Sequence, residues 1–187
     1  MIRLEALTGH HDRSGFDCGV DALDAWLKRT ALQHQGMGIS RTFVAVPEDD
    51  ASALNFQHDG YADVHADSIL GFYALASAFV LIEELPPEFG KRYPRQIPVT
   101  RLGRLAIRID MQGQGLGRLL LADAVNRART AAQVVGSAGV FVDAKDEKAA
   151  QFYQHYGFKP CSALASPQTL SSAVVEDTPY GFNYRRK

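Results

Sequence analysis

Residues 108–120, RIDMQGQGLGRLL, place glycine at 113, 115 and 117, between a run that reads as a strand and a run that reads as a helix. Glycine inside a helix costs about 1 kcal/mol relative to alanine. Backbone at this junction therefore has a role that side chains would obstruct. One reading is a flexible turn from strand to helix. The other is a turn that exposes several N–H groups at a helix N-terminus, where the dipole favours an anion and small residues let a phosphate reach the backbone. Three alternating glycines between a strong strand and a strong helix favour the second.

Nucleotide-binding templates do not fit. A P-loop requires Lys followed by Ser or Thr after its last glycine, and here Gly117 is followed by Arg118 and Leu119. A dinucleotide fingerprint started at Gly113 ends on Arg118, and one started at Gly115 ends on Leu120. What remains is Gln112-x-x-Gly115-x-Gly117.

The flanking sequence supplies the setting. IRLEAL (2–7), SRTFVAV (40–46), SILGFYALASAFV (68–80, with a bulge expected at Gly71), VTRLGRLAIRI (99–109) and AGVFVDA (138–144) read as strands. A helix is expected from Asp21, as its N-cap, to a stop at Gly36, with Val20, Leu23, Trp26, Leu27 and Leu32 at helical spacing. A second follows the glycines, with Leu116, Leu119, Leu120, Val125 and Ala128 on one face, and a third spans 146–156 before Gly157. A last β region is expected in GFKP and YGFNYR. Strands that lead into helices in the second half define an α/β protein with a mixed, partly parallel sheet and helices on both faces. Residues 48–67 are polar, acidic and aperiodic, and are expected to form a mobile loop inserted between two strands of a single domain, 1–187.

Composition narrows the setting. With 46% hydrophobic and 22% charged residues, this is a globular chain. No run approaches the roughly 20 apolar residues that span a bilayer, and the N-terminus lacks an apolar signal core. Neither membrane association nor export is expected. Cys18 and Cys161 read as reduced thiols of a cytoplasmic protein. The net charge of −1 gives no support to nucleic-acid binding, although KRYPR (91–95), Arg101, Arg104, Arg108 and Arg118 concentrate cations where an anion could be steered. His58, Asp59, His65 and Asp67 fit no standard metal template, so no metal is expected.

The Gln112-x-x-Gly115-x-Gly117 stretch resembles the pyrophosphate loop, [QR]-x-x-G-x-[GA], of the GNAT N-acetyltransferases. The resemblance implies the GNAT fold, with a sheet splayed at the cofactor. Beside Gln112, the backbone amides of Gly113, Gln114, Gly115, Leu116, Gly117 and Arg118 would cradle the pyrophosphate of acetyl-CoA. Leu105, Ala106 and Ile107 would pair with its pantetheine arm as an added strand.

About 30 residues further on, Ala149, Phe152, Tyr153, Gly157 and Phe158 match the A-x-x-F-Y-x-x-x-G-F that closes the core of such proteins. When an amine attacks the thioester, CoA leaves as a thiolate that must be protonated. A phenol with a reference pKa near 10 keeps its proton at neutral pH and can supply it. Tyr153 is therefore the expected general acid, with Tyr156 as packing or substrate wall and His155 as helix surface. No general base is evident, and an α-amino group with a reference pKa near 8 is partly neutral without one. Two positions depart from the family pattern. Asp146 stands near the point where Asn often contacts CoA, and Arg108 stands where Asp often follows the strand.

FDCGVDALDAWLKRTALQHQ, SRTFVAV, GFYALA, IPVTRLGRLAI and FVDAKDEKAAQFY together resemble the GNAT toxins of toxin–antitoxin modules. That resemblance implies acetylation of the α-amino group of aminoacyl-tRNA, a ribbon-helix-helix antitoxin and a homodimer. Lys91, Arg92, Arg95 and Arg104 would then meet the tRNA phosphates. Two other readings stand beside it. One is a GNAT acting on a small amine or a protein N-terminus, with the acidic stretch 48–67 recruiting a cationic substrate. The other is a non-catalytic acyl-CoA-binding module.

Overall fold

The computed structural model describes residues 1–85 and 93–161 and the strand segments 172–174, 177–178 and 181–182. The chain divides into two compact units, residues 1–75 with 104–124 and residues 76–103 with 125–187.

In the first unit, β1 (Ile2–Ala6) pairs antiparallel with β2 (Arg41–Pro47), which pairs antiparallel with β3 (Gly71–Leu81). Side chains alternate across a strand, so Val44, Val46, Phe72 and Ala74 share one face. Against that face pack Trp26 and Leu27 of α1 (Asp21–Arg29) and Ala31 of α2 (Ala31–Gly36), with Leu7, Phe16, Ile69 and Ala106. Trp26 stacks on Phe72 at 6.0 Å, and Phe16 meets the same ring edge-on. The opposite face carries Phe43 stacked on Tyr73, whose hydroxyl donates to Asp123 of α4 (Leu116–Val135) at 2.5 Å. Helices thus cover both faces of this unit.

Several local expectations need correction. Helix formation over 21–36 is interrupted at Thr30, where φ is −116°. Asp21 is the first helical residue and not the cap. Asp24 reaches back instead, accepting a hydrogen bond from the N–H of Cys18 at 3.1 Å. Gly71 opens β3 without a bulge. A Cβ there would lie 2.9 Å from both Ile107 and Leu120 side chains, so glycine lets β3, the end of β4 and α4 close up. Leu119 of α4 is exposed, while Leu120, Leu121 and Ala124 are buried.

The stretch 48–67 is not loop throughout. It holds α3 (Asp50–His58), capped by Asp49, which accepts from Ser52 N at 2.7 Å. This helix buries only Ser52 and Ala53. It has no apolar stripe, and hence no periodicity to announce it.

In the second unit, β4 (Gln96–Ile107) runs parallel to β5 (Val140–Asp143). β5 and β6 (Lys159–Pro160) each pair antiparallel with β7 (Ser172–Val174). A separate two-stranded ladder joins β8 (Asp177–Thr178) to β9 (Gly181–Phe182). Of the last expected β region, GFKP supplies β6 and YGFNYR supplies β9, the rest of YGFNYR lying outside the described residues. Val80, Leu85, Ile97, Val99 and Phe141 form the core, with Cys161 packed against it. Burial and the nearby Glu84 carboxylate push the Cys161 thiol up to about 12, and neither cysteine forms a disulfide. α5 (Glu147–His155) completes the unit. No helix among the described residues is long and apolar enough to cross a membrane.

Candidate active site

The glycine loop expected to hold the cofactor lies in the first unit, where β4 gives way to α4. Pairing of β4 with β5 ends at Leu102–Val142, while β4 itself continues to Ile107. Leu105, Ala106 and Ile107 therefore lie past the last ladder contact on that side, with Ala106 buried and its two neighbours half-buried. A single 3₁₀ turn (Ile109–Met111) follows, and then Gln112 to Gly115 lead into α4 at Leu116.

Two glycines in this turn are required by backbone conformation. Gly113 has φ 78° and Gly115 φ 87°, a region that other residues enter at a cost of about 1–2 kcal/mol. A Cβ at either position would meet no atom within 4 Å, so the space above both is open. Gly117 lies in the first turn of α4 beside exposed Arg118. N–H groups of a first helical turn have no carbonyl one turn back to bind. Open space, small residues and a helix N-terminus together suit a pyrophosphate.

Side chains pin this loop from below. Gln112 Nε2 donates to the carbonyls of Cys18, at 3.0 Å, and Ile107, at 3.1 Å. Gln114 Nε2 donates to the Tyr61 hydroxyl at 2.6 Å. The N–H of Ile109 donates to Asp17 O at 2.8 Å. Arg108, buried at the loop's entrance, donates to both oxygens of Asp63, at 2.7 and 2.8 Å, and to both of Asp110, at 2.9 and 2.8 Å. Burial alone would lower the pKa of this guanidinium, but the two carboxylates raise it. The Arg108 hydrogen bond holds Asp63 below the ordinary carboxylate range.

The expected proton donor lies in the second unit, on α5. Asp146 caps the helix by accepting from Ala149 N at 2.8 Å and sits 3.7 Å from the Lys145 ammonium. The side chain placed near the family's CoA-contacting Asn thus has a helix-capping task. Tyr153 is 7% exposed, its ring against those of Phe152 and Phe158. Its hydroxyl has no hydrogen-bond partner among the described residues, and burial raises its pKa well above that of a free phenol. Gly157, at φ 91°, turns the chain so that the N–H groups of Tyr156 and Phe158 both reach the Tyr153 carbonyl. Tyr156 is half-buried against Phe152, and His155 is exposed.

The cations expected to meet a polyanion are differently placed. Arg104 sets its guanidinium 4.1 Å from the Trp26 ring centroid, a cation–π contact within the first unit. Arg95 is 80% exposed, with Glu83 at 3.4 Å. Lys91 and Arg92 lie outside the described residues. Arg101 pairs with Asp143. Among the described residues no three His, Cys, Asp or Glu side chains group as a metal site.

Reading the sequence missed Tyr61, Asp63 and Asp110 as supports of the loop. The one signal available was Arg108 itself, a cation directly after a strand where the family pattern often has an acid.

Comparison with known proteins follows the same lines. Residues 67–160 match the model of the acetyltransferase (GNAT) domain. The chain is 34% identical over 148 residues to a tRNA-acetylating toxin of Mycobacterium tuberculosis, covering 79% of this chain and 78% of that one. Among solved structures, AtaT complexed with acetyl-methionyl-tRNAfMet superposes with a TM-score of 0.77 at 29% identity, over 93% of this chain and 94% of that one. A mutant AtaT toxin bound to the C-terminus of the antitoxin AtaR and acetyl-CoA gives a TM-score of 0.69 at 28% identity, over 92% and 91%.

Proposed function

The chain belongs to the GNAT acetyltransferase family, and from that premise we propose that it is a toxin that moves acetyl from acetyl-CoA onto the α-amino group of aminoacyl-tRNA. The observation that carries the cofactor half is the loop from Gln112 to Gly117. Its left-handed glycines open the space above the first turn of α4. The backbone amides from Gly113 to Arg118 take the pyrophosphate there. The free stretch of β4, Leu105–Ile107, takes the pantetheine arm as an added strand. Similarity to a tRNA-acetylating toxin and to AtaT in complex with a tRNA supports the acceptor.

The reaction needs little from the protein beyond position and one proton. The neutral amine forms a bond to the thioester carbonyl carbon. The tetrahedral adduct collapses with loss of the C–S bond, the nitrogen gives up its extra proton to solvent, and the sulfur must gain one. Tyr153 supplies it. Burial that disfavours tyrosinate also keeps the phenol fully protonated at working pH. An α-amino group beside an ester is less basic than a lysine amine, so its neutral fraction makes a dedicated base unnecessary.

The same reading takes residues 1–187 as one catalytic domain that works in the cytoplasm as a homodimer and is neutralised by a ribbon-helix-helix antitoxin. A relative solved with its antitoxin's C-terminus supports the existence of such a partner. Arg95, with Lys91 and Arg92, is assigned to the tRNA phosphates. The test is translation in vitro with radiolabelled acetyl-CoA. Label recovered on the α-amino group of aminoacyl-tRNA, with arrested elongation, is the expected result. Label confined to protein or small amines would overturn the assignment.

A further inference from the structure

Arg108 is 8% exposed, and a buried cation left alone costs several kcal/mol. Asp110, two residues on, supplies one carboxylate from the same turn. The other comes from Asp63, which lies 45 residues earlier in the inserted stretch between β2 and β3. The same stretch makes a second attachment, for the Tyr61 hydroxyl accepts the hydrogen bond of Gln114 Nε2 at 2.6 Å. The two ties hold the residues on either side of Gly113, one at the entrance of the cofactor loop and one inside it.

The stretch that provides them is itself well seated. Tyr61 meets the Phe56 ring edge-on and donates its N–H to Phe56 O at 2.9 Å. Val64 is fully buried, and its carbonyl accepts from Gln57 Nε2 at 2.7 Å. A loop rich in glycine has more conformational freedom to lose than one of ordinary residues, and binding through it is weakened by whatever ordering it must undergo. Ties that hold such a loop in one conformation strengthen binding without touching the ligand.

We infer that the 50–64 insertion braces the cofactor loop, with Tyr61 and Asp63 as positioning residues that set the affinity for acetyl-CoA through Gln114 and Arg108. This rests on the acetyl-CoA reading above and assigns the insertion a task in it.

The test combines steady-state kinetics with calorimetric titration of acetyl-CoA on the full chain. Tyr61→Phe and Asp63→Asn should each raise both the KM and the Kd for acetyl-CoA about threefold to tenfold, the range of one or two lost hydrogen bonds. Their kcat at saturating acetyl-CoA should stay within twofold of wild type. Asp63→Glu, which keeps the carboxylate, should recover most of the affinity lost in Asp63→Asn. Both variants binding acetyl-CoA as wild type does would overturn the brace, as would losses confined to kcat. A lowered Tm in Asp63→Asn and Asp63→Glu alike, with Kd unchanged, would reduce the contact to a stabilising one and overturn it too. Wild-type protein that binds no acetyl-CoA would instead overturn the functional reading beneath it.

Discussion

The side-chain amide of Gln112 donates to the carbonyl of Cys18 at 3.0 Å, joining residues 94 positions apart. Cys18 is in turn fixed by Asp24, and Asp17 accepts from Ile109, so the turn before α1 is bonded to the segment that carries the glycines. Gln112 is thus the anchor of the loop to the rest of its unit. Gln112→Ala removes two donated hydrogen bonds, together about 1–2 kcal/mol at this exposed position. The expected outcome is a fivefold to twentyfold (~) rise in the Kd for acetyl-CoA, read by calorimetry. An unaltered Kd would show that the glycines hold their shape without it.

Replacing Gly115 tests the loop by conformation and not by contact. Gly115→Val forces a β-branched residue into φ 87°, although its Cβ would meet no atom. The expected result is a fall of roughly tenfold or more in acetyl-CoA affinity, because the backbone amides can no longer be aimed at one anion. Retained affinity would remove those amides from the binding site.

Tyr153→Phe separates chemistry from packing. The ring stays against Phe152 and Phe158, and the hydroxyl leaves no partner among the described residues, so Tm should change little. Loss of a positioned acid lowers kcat by about 10²–10⁴, while the Kd for acetyl-CoA should stay within twofold. Turnover equal to wild type would transfer the proton donor's role elsewhere.

The pH profile follows from the direction of the Tyr153 shift. Its pKa is raised, so the protonated, donating form persists beyond the range in which a free phenol ionises, near pH 10. Activity should climb as the acceptor amine deprotonates, around pH 8 for an ordinary α-amino group, and then stay level to pH ~10. Initial rates corrected for ester hydrolysis would show this. A descending limb below pH 9 would mean that another acid, with a lower pKa, supplies the proton.

The parts of this site that were legible in the sequence are those fixed by short-range rules. Gly113 and Gly115 stand where glycine adopts the backbone without strain, and Gly157 closes α5 for the same reason. Asp146 advertises a helix start, though its side chain turned out to be committed to Ala149 N. The brace was hidden because nothing local links Asp63 to Arg108 or Tyr61 to Gln114. Such pairs form only once β3 and β4 bring distant turns together. α3 escaped notice for a related reason, since a helix that buries Ser52 and Ala53 leaves no apolar rhythm to read. Leu119 shows the converse error, an apolar residue assigned to the core that is 41% exposed.

Arg95 gives the acceptor proposal its most direct electrostatic test. Its pairing with Glu83 is between side chains 80% and 52% exposed, and such pairs contribute little. The guanidinium therefore remains available to a phosphate. Arg95→Glu should lower kcat/KM for aminoacyl-tRNA about threefold to tenfold at low salt, and the gap to wild type should narrow as salt rises and screens both. The KM for acetyl-CoA should not change, because Arg95 belongs to no part of the loop proposed to hold it. Parallel salt slopes for the two proteins would take Arg95 out of the tRNA interface and leave the charge to other residues.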